Sequence, residues 1–470
     1  MRKYVITVAL LASTLATYAK LELRKVFADN MVLQQTATIT ISGKAKPNAT
    51  VKILTGWKAT YKSKTDKDGL FTIDITTPKA GGPYNIKFDD GDILELKNVL
   101  IGEVWLAAGQ SNMEMKVKGF DSKQTVLDRE EIEKHASTQP AIRFLTLGST
   151  PAQEPQKEIS GNWEETNANT ILEFSAIAYQ FAAKLKAALN VPIGIVVAAN
   201  SGTRIESWMS RNTLEAINDR YLTFDLPFQK NSPAAMYNTT ISPLAGFKIQ
   251  GVIWYQGEAN RTAPATYLKQ FPALVDNWRQ DWKDQNLPFY TVEIAPFTYP
   301  TDGDKAYVTA FFRENQRKLS RSIKNVGIVS TVDIGSKTTV HPPDKTKAGN
   351  RLALLVLANT YLVKNSYDEA VYKSFKTEGS NAIIEFANCT TLALNGQQVN
   401  DIEIAGNDQV FYPANAKIEN NKLVVWSAQV AEPKSVRYCF KAYSEGNLYN
   451  QANLPIPPFR TDNWSIIQKK

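Results

Sequence analysis

The 470-residue chain reads as an α/β protein, a central, doubly wound, mostly parallel sheet flanked by an N-terminal and a C-terminal β domain. Three observations predict this. Residues 20–98 alternate apolar and polar side chains between closely spaced turn signals, the pattern of short half-buried strands. From about residue 99, apolar runs of strand length alternate with helical patterns, the order that builds a parallel sheet with helices on both faces. After residue 362 the chain returns to short strands and turns. The length suits two or three domains. The expected divisions are a leader at 1–19, a β-sandwich at 20–98, an α/β domain at 99–362 and a β domain at 363–470.

Each element has its own signal. Arg2 and Lys3, the apolar stretch Tyr4–Ala16 and the small-residue site Thr17-Tyr18-Ala19 predict a cleavable secretory leader, hence a secreted or periplasmic protein. No cysteine lies near that site, so a lipid anchor is not expected, and no other stretch approaches the ~20 apolar residues of a membrane span. In the first β region, Thr36–Ser42, Val51–Leu54, Leu70–Ile75 and Tyr84–Phe88 alternate. Pro47-Asn48-Ala49, Asp66-Lys67-Asp68-Gly69 and Gly81-Gly82-Pro83 punctuate them, which suggests a sandwich. In the middle, strands are expected at Val104–Ala108, Ile142–Leu147, Ile193–Ala199, Val252–Tyr255, Pro288–Ile294 and Gly327–Thr331. Helices are expected at Arg129–Ala136, Phe174–Leu189, Tyr267–Trp282, Val308–Ser322 and Thr346–Leu362. Phe174, Ile177, Phe181, Leu185 and Leu189 recur close to the helical period. In the last region Cys389 and Cys439 each sit in a strand-like context, and a bridge and two buried thiols are equal readings.

Composition narrows the function. With 43% hydrophobic and 10% aromatic residues the chain supports large cores and is not disordered. The formal charge of +8, two less without the leader, is scattered. It reads as an ordinary solvated surface, at most mildly attractive to anionic glycans, and no nucleic-acid partner is expected. Two cysteines and two histidines lie too far apart for metal-ligand spacing, so no structural zinc is expected.

Gly109-Gln110-Ser111-Asn112-Met113-Glu114-Met115 carries the chemistry. It follows a buried-strand pattern, and a serine just past such a strand stands where open α/β sheets place their ligands. A serine hydroxyl must lose its proton as it attacks, and an imidazole with an ordinary pKa near ~6.5 can take it. The chain has only His135 and His341 to offer. His341 lies in the loop Thr339-Val340-His341-Pro342-Pro343-Asp344 before a helix, again at the strand C-terminal side, and is the expected base. His135 ends a charged helix, where a histidine mostly meets the last-turn carbonyls. Acyl transfer also needs fixed donors for the developing oxyanion. Gly202, in Asn200-Ser201-Gly202-Thr203, allows a close backbone N–H. Asn260, in Gly257-Glu258-Ala259-Asn260, offers a side-chain amide, and Ser111 adds its own N–H.

These blocks closely resemble the sialate O-acetylesterase family of the SGNH hydrolases, named for catalytic Ser, Gly, Asn and His. The matching residues are Gly102-Glu103-Val104-Trp105 with Gly109-Gln110-Ser111-Asn112-Met113-Glu114; Gly202-Thr203-Arg204-Ile205-Glu206-Ser207-Trp208; Trp254-Tyr255-Gln256-Gly257-Glu258-Ala259-Asn260; and His341-Pro342. Asn30-Met31-Val32-Leu33-Gln34 and Pro458-Phe459-Arg460-Thr461-Asp462 extend the likeness over nearly the whole chain. The resemblance implies a flavodoxin-like α/β/α catalytic domain that removes O-acetyl groups from sugars without metal or organic cofactor. Ser111, Gly202, Asn260 and His341 would hold the four named roles.

One departure stands out. These enzymes commonly carry an aspartate two or three residues before the histidine, and here those positions are Thr339 and Thr338. Glu258 is the expected substitute for orienting His341; Asp333, Asp344, a plain Ser–His dyad and a backbone carbonyl are its rivals. Gln110, Arg204 and Trp208 are the candidates for the sugar site. Arg204 could grip a sialic acid carboxylate in a bidentate pair, though a structural ion pair, for instance to Glu206, is the plainer reading. Trp208 is equally open between sugar stacking and packing. The substrate readings are O-acetylated sialic acid, above all at the 9-position, or an acetylated polysaccharide such as xylan. A glycan-binding protein that lost turnover with the missing aspartate is the reading from another class.

Overall fold

The computed structural model describes residues 20–122, 124–218, 228–300, 307–364 and 367–464. The expected leader lies outside the described residues. One large mixed sheet dominates, joined by smaller β sheets at both ends of the chain. Its α/β part runs, in space, Trp163–Glu165, Ile142–Thr146, Ile193–Ala199, Ile93–Gly109, Gly251–Tyr255, Phe289–Val292 and Val326–Val329. The first of these is antiparallel to its neighbour and every other adjacent pair is parallel.

Alternation along the central strand explains the layers. Leu106 and Ala108 face one core with Trp254, Leu274, Trp278 and Phe312. Trp105 and Ala107 face the other with Ile177, Phe181, Leu352 and Val356. The first layer comes from the helices Pro264–Asp281 and Tyr307–Ser322, the second from Ala176–Leu189 and Lys345–Asn359. A strand covered on both faces must be apolar on both, and from Val99 to Ala108 every residue is buried.

The expected border at 98–99 falls inside a single strand. Ile93–Gly109 is 17 residues long. Its first half pairs antiparallel with Gly81–Asp89, from Asp89↔Ile93 to Gly81↔Ile101, and its second half is the middle of the α/β sheet. The apolar face of the N-terminal strands (Ile39, Ile41, Val51, Ile53, Ile86, Phe88) belongs to the same core as Trp254 and Trp278. This continuity anchors the strand that delivers Ser111.

The C-terminal region forms two four-stranded antiparallel sheets and a two-stranded one. They close on a separate core that includes Ile384, Ile404, Val425, Val436 and Tyr438. Cys389 and Cys439 are free thiols; burial pushes the Cys439 thiol up to about 12. Among the described residues no helix is long and apolar enough to cross a membrane.

Candidate active site

Three adjacent strand ends build one wall. Gly109 has φ 142°, and a Cβ there would stand 2.2 Å from the Tyr255 carbonyl oxygen, so a side chain would drive apart two strands that must touch. Around it, the Gln110 N–H donates to Tyr255 O at 3.0 Å and the Asn200 N–H donates to Gly109 O at 3.1 Å. These bonds tie the ends of Ile93–Gly109, Gly251–Tyr255 and Ile193–Ala199 together. Ser111 opens the short helix Ser111–Glu114 directly beyond them.

Ser111 opens into a cavity of about 490 Å³. Gln110, Ser201, Gly202, Glu258 and Ala259 share its wall with Ser111, and Phe120, Gln124, Val340 and His341 face them. Gly202 has φ 70°, a left-handed backbone suited to glycine. Its loop is held from outside. Lys230 Nζ donates to Ser201 O at 2.5 Å, Asn231 Nδ2 to Gly202 O at 3.1 Å, and the Ser201 hydroxyl to the Glu114 carboxylate. Among the described residues the Gly202 N–H has no protein acceptor. As the first residue of its helix, Ser111 likewise has an N–H without an intrahelical partner.

His341 does not meet Glu258. Its Nδ1 meets Gln124 Oε1, and its backbone N–H donates to Thr339 Oγ1 at 3.1 Å. Its ring packs against Phe120 at 4.9 Å between centroids. An amide oxygen can only accept, so this contact places the proton on Nδ1 and leaves Nε2 its lone pair. Burial, with the Lys345 cation adding to it and Asp121 opposing, lowers the imidazole pKa to about 4.

Glu258 corrects the expectation for the orienting acid. Its Oε1 accepts from Asn112 Nδ2 at 2.6 Å, while its Oε2 is buried without a partner. Burial raises its pKa, against the pull of Asn112, Lys345 and Arg261. Asn112 is the hub of this network. Its Nδ2 also reaches Val340 O at 3.1 Å, and its Oδ1 accepts from Lys345 Nζ at 2.6 Å. The residue after Ser111 thus holds the backbone beside the histidine. Burial brings Lys345 down to about 7, with Glu258 and Asp344 resisting. The two rival acids are committed elsewhere. Asp333 pairs with Arg351 through two 2.7 Å bonds, and Asp344 caps the helix Lys345–Asn359 at Lys347 N, 2.9 Å.

Asn260 is a second correction. It lies outside the cavity wall and is 3% exposed. Its Nδ2 donates to Glu206 Oε2 at 3.0 Å, and its Oδ1 accepts from Ile205 N at 3.0 Å and Gln256 Nε2 at 2.7 Å. A buried carboxylate at Glu206 demands donors, and Asn260 and Gln270 supply them. The amide therefore fixes the turn Ile205–Trp208 rather than facing an oxyanion.

Trp208 is fully buried and not a sugar platform. Its Nε1 donates to Thr203 Oγ1 at 3.0 Å and its ring stands edge-on to Trp254 at 5.9 Å. Arg204 is half-buried and not part of the cavity wall, so it does not fill the expected substrate role there; its backbone N–H donates to Asn231 Oδ1 at 2.8 Å. Gln110 does line the cavity. His135 sits at a helix end with Nδ1 2.7 Å from Tyr179 OH. Among the described residues no hydrogen bond joins Ser111 Oγ to His341 Nε2, a contact that frequently closes only around a substrate. Nor does any group of three metal-ligating side chains occur among them.

Comparison with known proteins follows the same lines. The family described as "carbohydrate esterase, sialic acid-specific acetylesterase" matches residues 101–358. The sialate O-acetylesterase of Rattus norvegicus is 25% identical, with 92% of this chain and 93% of that protein covered. The Homo sapiens sialate O-acetylesterase is 25% identical over 72% of this chain and 70% of its own. The crystal structure of a carbohydrate acetylesterase from Xanthomonas citri superposes with a TM-score of 0.85 and 34% identity, covering 95% of this chain and 100% of that one.

Proposed function

The chain belongs to the sialic acid-specific acetylesterase family of carbohydrate esterases, and from that premise we propose that it is an exported serine esterase that removes O-acetyl groups from sugars. One observation carries this reading. Ser111, Gly202 and His341 line a single cavity at the C-terminal edge of the sheet.

The chemistry follows from the arrangement. With its proton on Nδ1 against Gln124, His341 presents Nε2 as the base. As Ser111 Oγ bonds to the acetyl carbonyl carbon, its proton passes to Nε2 and the carbonyl π pair moves onto oxygen. The N–H groups of Ser111 and Gly202 stabilise that charge. The tetrahedral centre then collapses, the bond to the sugar oxygen breaks, and His341 returns the proton to that oxygen. Water repeats the sequence on the acetyl-serine and releases acetate.

The sugar in this proposal is O-acetylated sialic acid, with the 9-O-acetyl group as the first candidate, the sugar that the family's description and the relatives' names carry. A neutral acetylated polysaccharide such as xylan is the second reading. It is favoured by the described cavity wall, which carries the Glu258 carboxyl and no lysine or arginine to pair with a sialic acid carboxylate. Initial rates on a 9-O-acetyl sialoside and on acetylxylan, for wild type and Ser111→Ala, separate the readings. Sialoside turnover lost in the variant supports the first, turnover of xylan alone the second, and no turnover of either by folded protein returns the chain to the glycan-binding class.

A further inference from the structure

Two backbone N–H groups already make an oxyanion hole for acyl transfer, and Asn260, the amide expected to add a side-chain donor, is turned to Glu206. Another amide stands in the cavity. Gln110 precedes the nucleophile, is 3% exposed, and lines the cavity. Its Oε1 accepts from two backbone N–H groups in the next strand's loop, Gly257 at 3.2 Å and Ala259 at 3.4 Å. With one end pinned twice, a planar amide has its other end fixed as well. Among the described residues Gln110 Nε2 has no acceptor, yet it is not one of the side-chain atoms sealed from solvent without a partner. For a residue so buried, the cavity is the solvent that Nε2 reaches. Glu258, the carboxyl on that wall, has its unpartnered Oε2 sealed off.

We propose that Gln110 is the third oxyanion donor, its Nε2 hydrogen-bonding the carbonyl oxygen as the charge develops, in the place expected for Asn260. The inference rests on the esterase reading and deepens it. When Ser111 Oγ adds to the carbonyl carbon and the π pair moves to oxygen, that oxygen accepts from Ser111 N, Gly202 N and Gln110 Nε2. On collapse the pair returns and the ester C–O bond breaks, so Nε2 loses no proton and forms no covalent bond. Preorganisation makes the donor useful, because its orientation is fixed before the charge appears.

The test compares kcat and KM for a sugar acetate in wild type, Gln110→Glu, Gln110→Met and Ser111→Ala, with thermal midpoints for each. Gln110→Glu keeps the acceptor that pins Gly257 and Ala259 but has no Nε2 donor. Gln110→Met removes donor and acceptor without adding charge. A donor used only in the transition state predicts that kcat falls about 10²–10³-fold in both, with KM within about threefold. Should Gln110→Met not fold, Gln110→Glu at a wild-type midpoint decides. A purely structural glutamine predicts the opposite, a Gln110→Glu kcat within about threefold of wild type, and that result overturns the inference while leaving the esterase standing. A wild type without turnover overturns both.

Discussion

On the Ser111 side of the cavity, Gln110, Ser111 and Gly202 follow the ends of adjacent parallel strands, and backbone bonds between those ends hold them in place. On the opposite side His341 sits in a loop, held by side chains from distant parts of the chain, Gln124 at Nδ1 and Asn112 through Val340 O. The first wall takes its precision from a sheet buried on both faces. The second takes it from two amides and a buried network. Changes in the first wall should therefore strike the chemical step itself. Changes in the second should move the histidine, or its pKa, and show in the pH profile.

The largest expected effect is common to both walls, since the proposed mechanism uses a reacting group from each. Ser111→Ala and His341→Ala should each lower kcat by about 10⁴-fold or more, and the double variant should lose little beyond either single one. Multiplying losses in acetate-release kinetics would separate the two residues and break the account.

Asn112→Ala comes next and probes the seam between the walls. It leaves Glu258 and Lys345 without their shared partner and frees the Val340 backbone. A misplaced base costs about 10²-fold in kcat, and each buried group left unpaired costs about 1–3 kcal/mol of stability. Chemical denaturation and steady-state kinetics on the same preparation check both, and an unchanged kcat would mean that the histidine loop holds itself.

Gln124→Glu sharpens the comparison further. With His341 as the proposed base, catalysis needs the neutral imidazole, so kcat/KM should fall as pH drops through about 4, the lowered value of His341. A carboxylate at Nδ1 favours the imidazolium and raises that pKa, which moves the acid limb upward by about 1–3 pH units. A limb that stays in place would show that Gln124 does not touch the ring in solution. Lys345→Met should act in the same direction and more weakly, because the cation ranks behind burial among the causes of the low value. A pH profile from 3 to 9 on each variant reads both shifts, and a downward shift in Lys345→Met would contradict the network.

The same division governs what the sequence made legible. The parallel strands and their helices were readable because apolar runs and helical periods are local, and Ile193–Ala199 has the expected bounds. That Ser111, Gly202 and His341 would come together at one cavity was readable because their motif blocks follow strands. Gln124 carried no local signal; it meets His341 from 217 residues away. Glu258 and Asn260 sit in a readable motif, but their partners are set by burial. Asn112 takes the Glu258 carboxylate and Glu206 takes the Asn260 amide. Trp208 was open between stacking and packing because indole serves both, and only its neighbours Trp254 and Thr203 place it in the core. The expected border at 98–99 falls inside the strand Ile93–Gly109, because a strand can change sheet partners without a break in its pattern.

The most direct test of the central claim is acetate release from a 9-O-acetyl sialoside and from a simple acetyl ester, by wild type and Ser111→Ala. The account predicts turnover of both by wild type and of neither by the variant. Hydrolysis that survives in a folded Ser111→Ala protein would contradict it, because the ester would then be cleaved without the serine around which both walls are built.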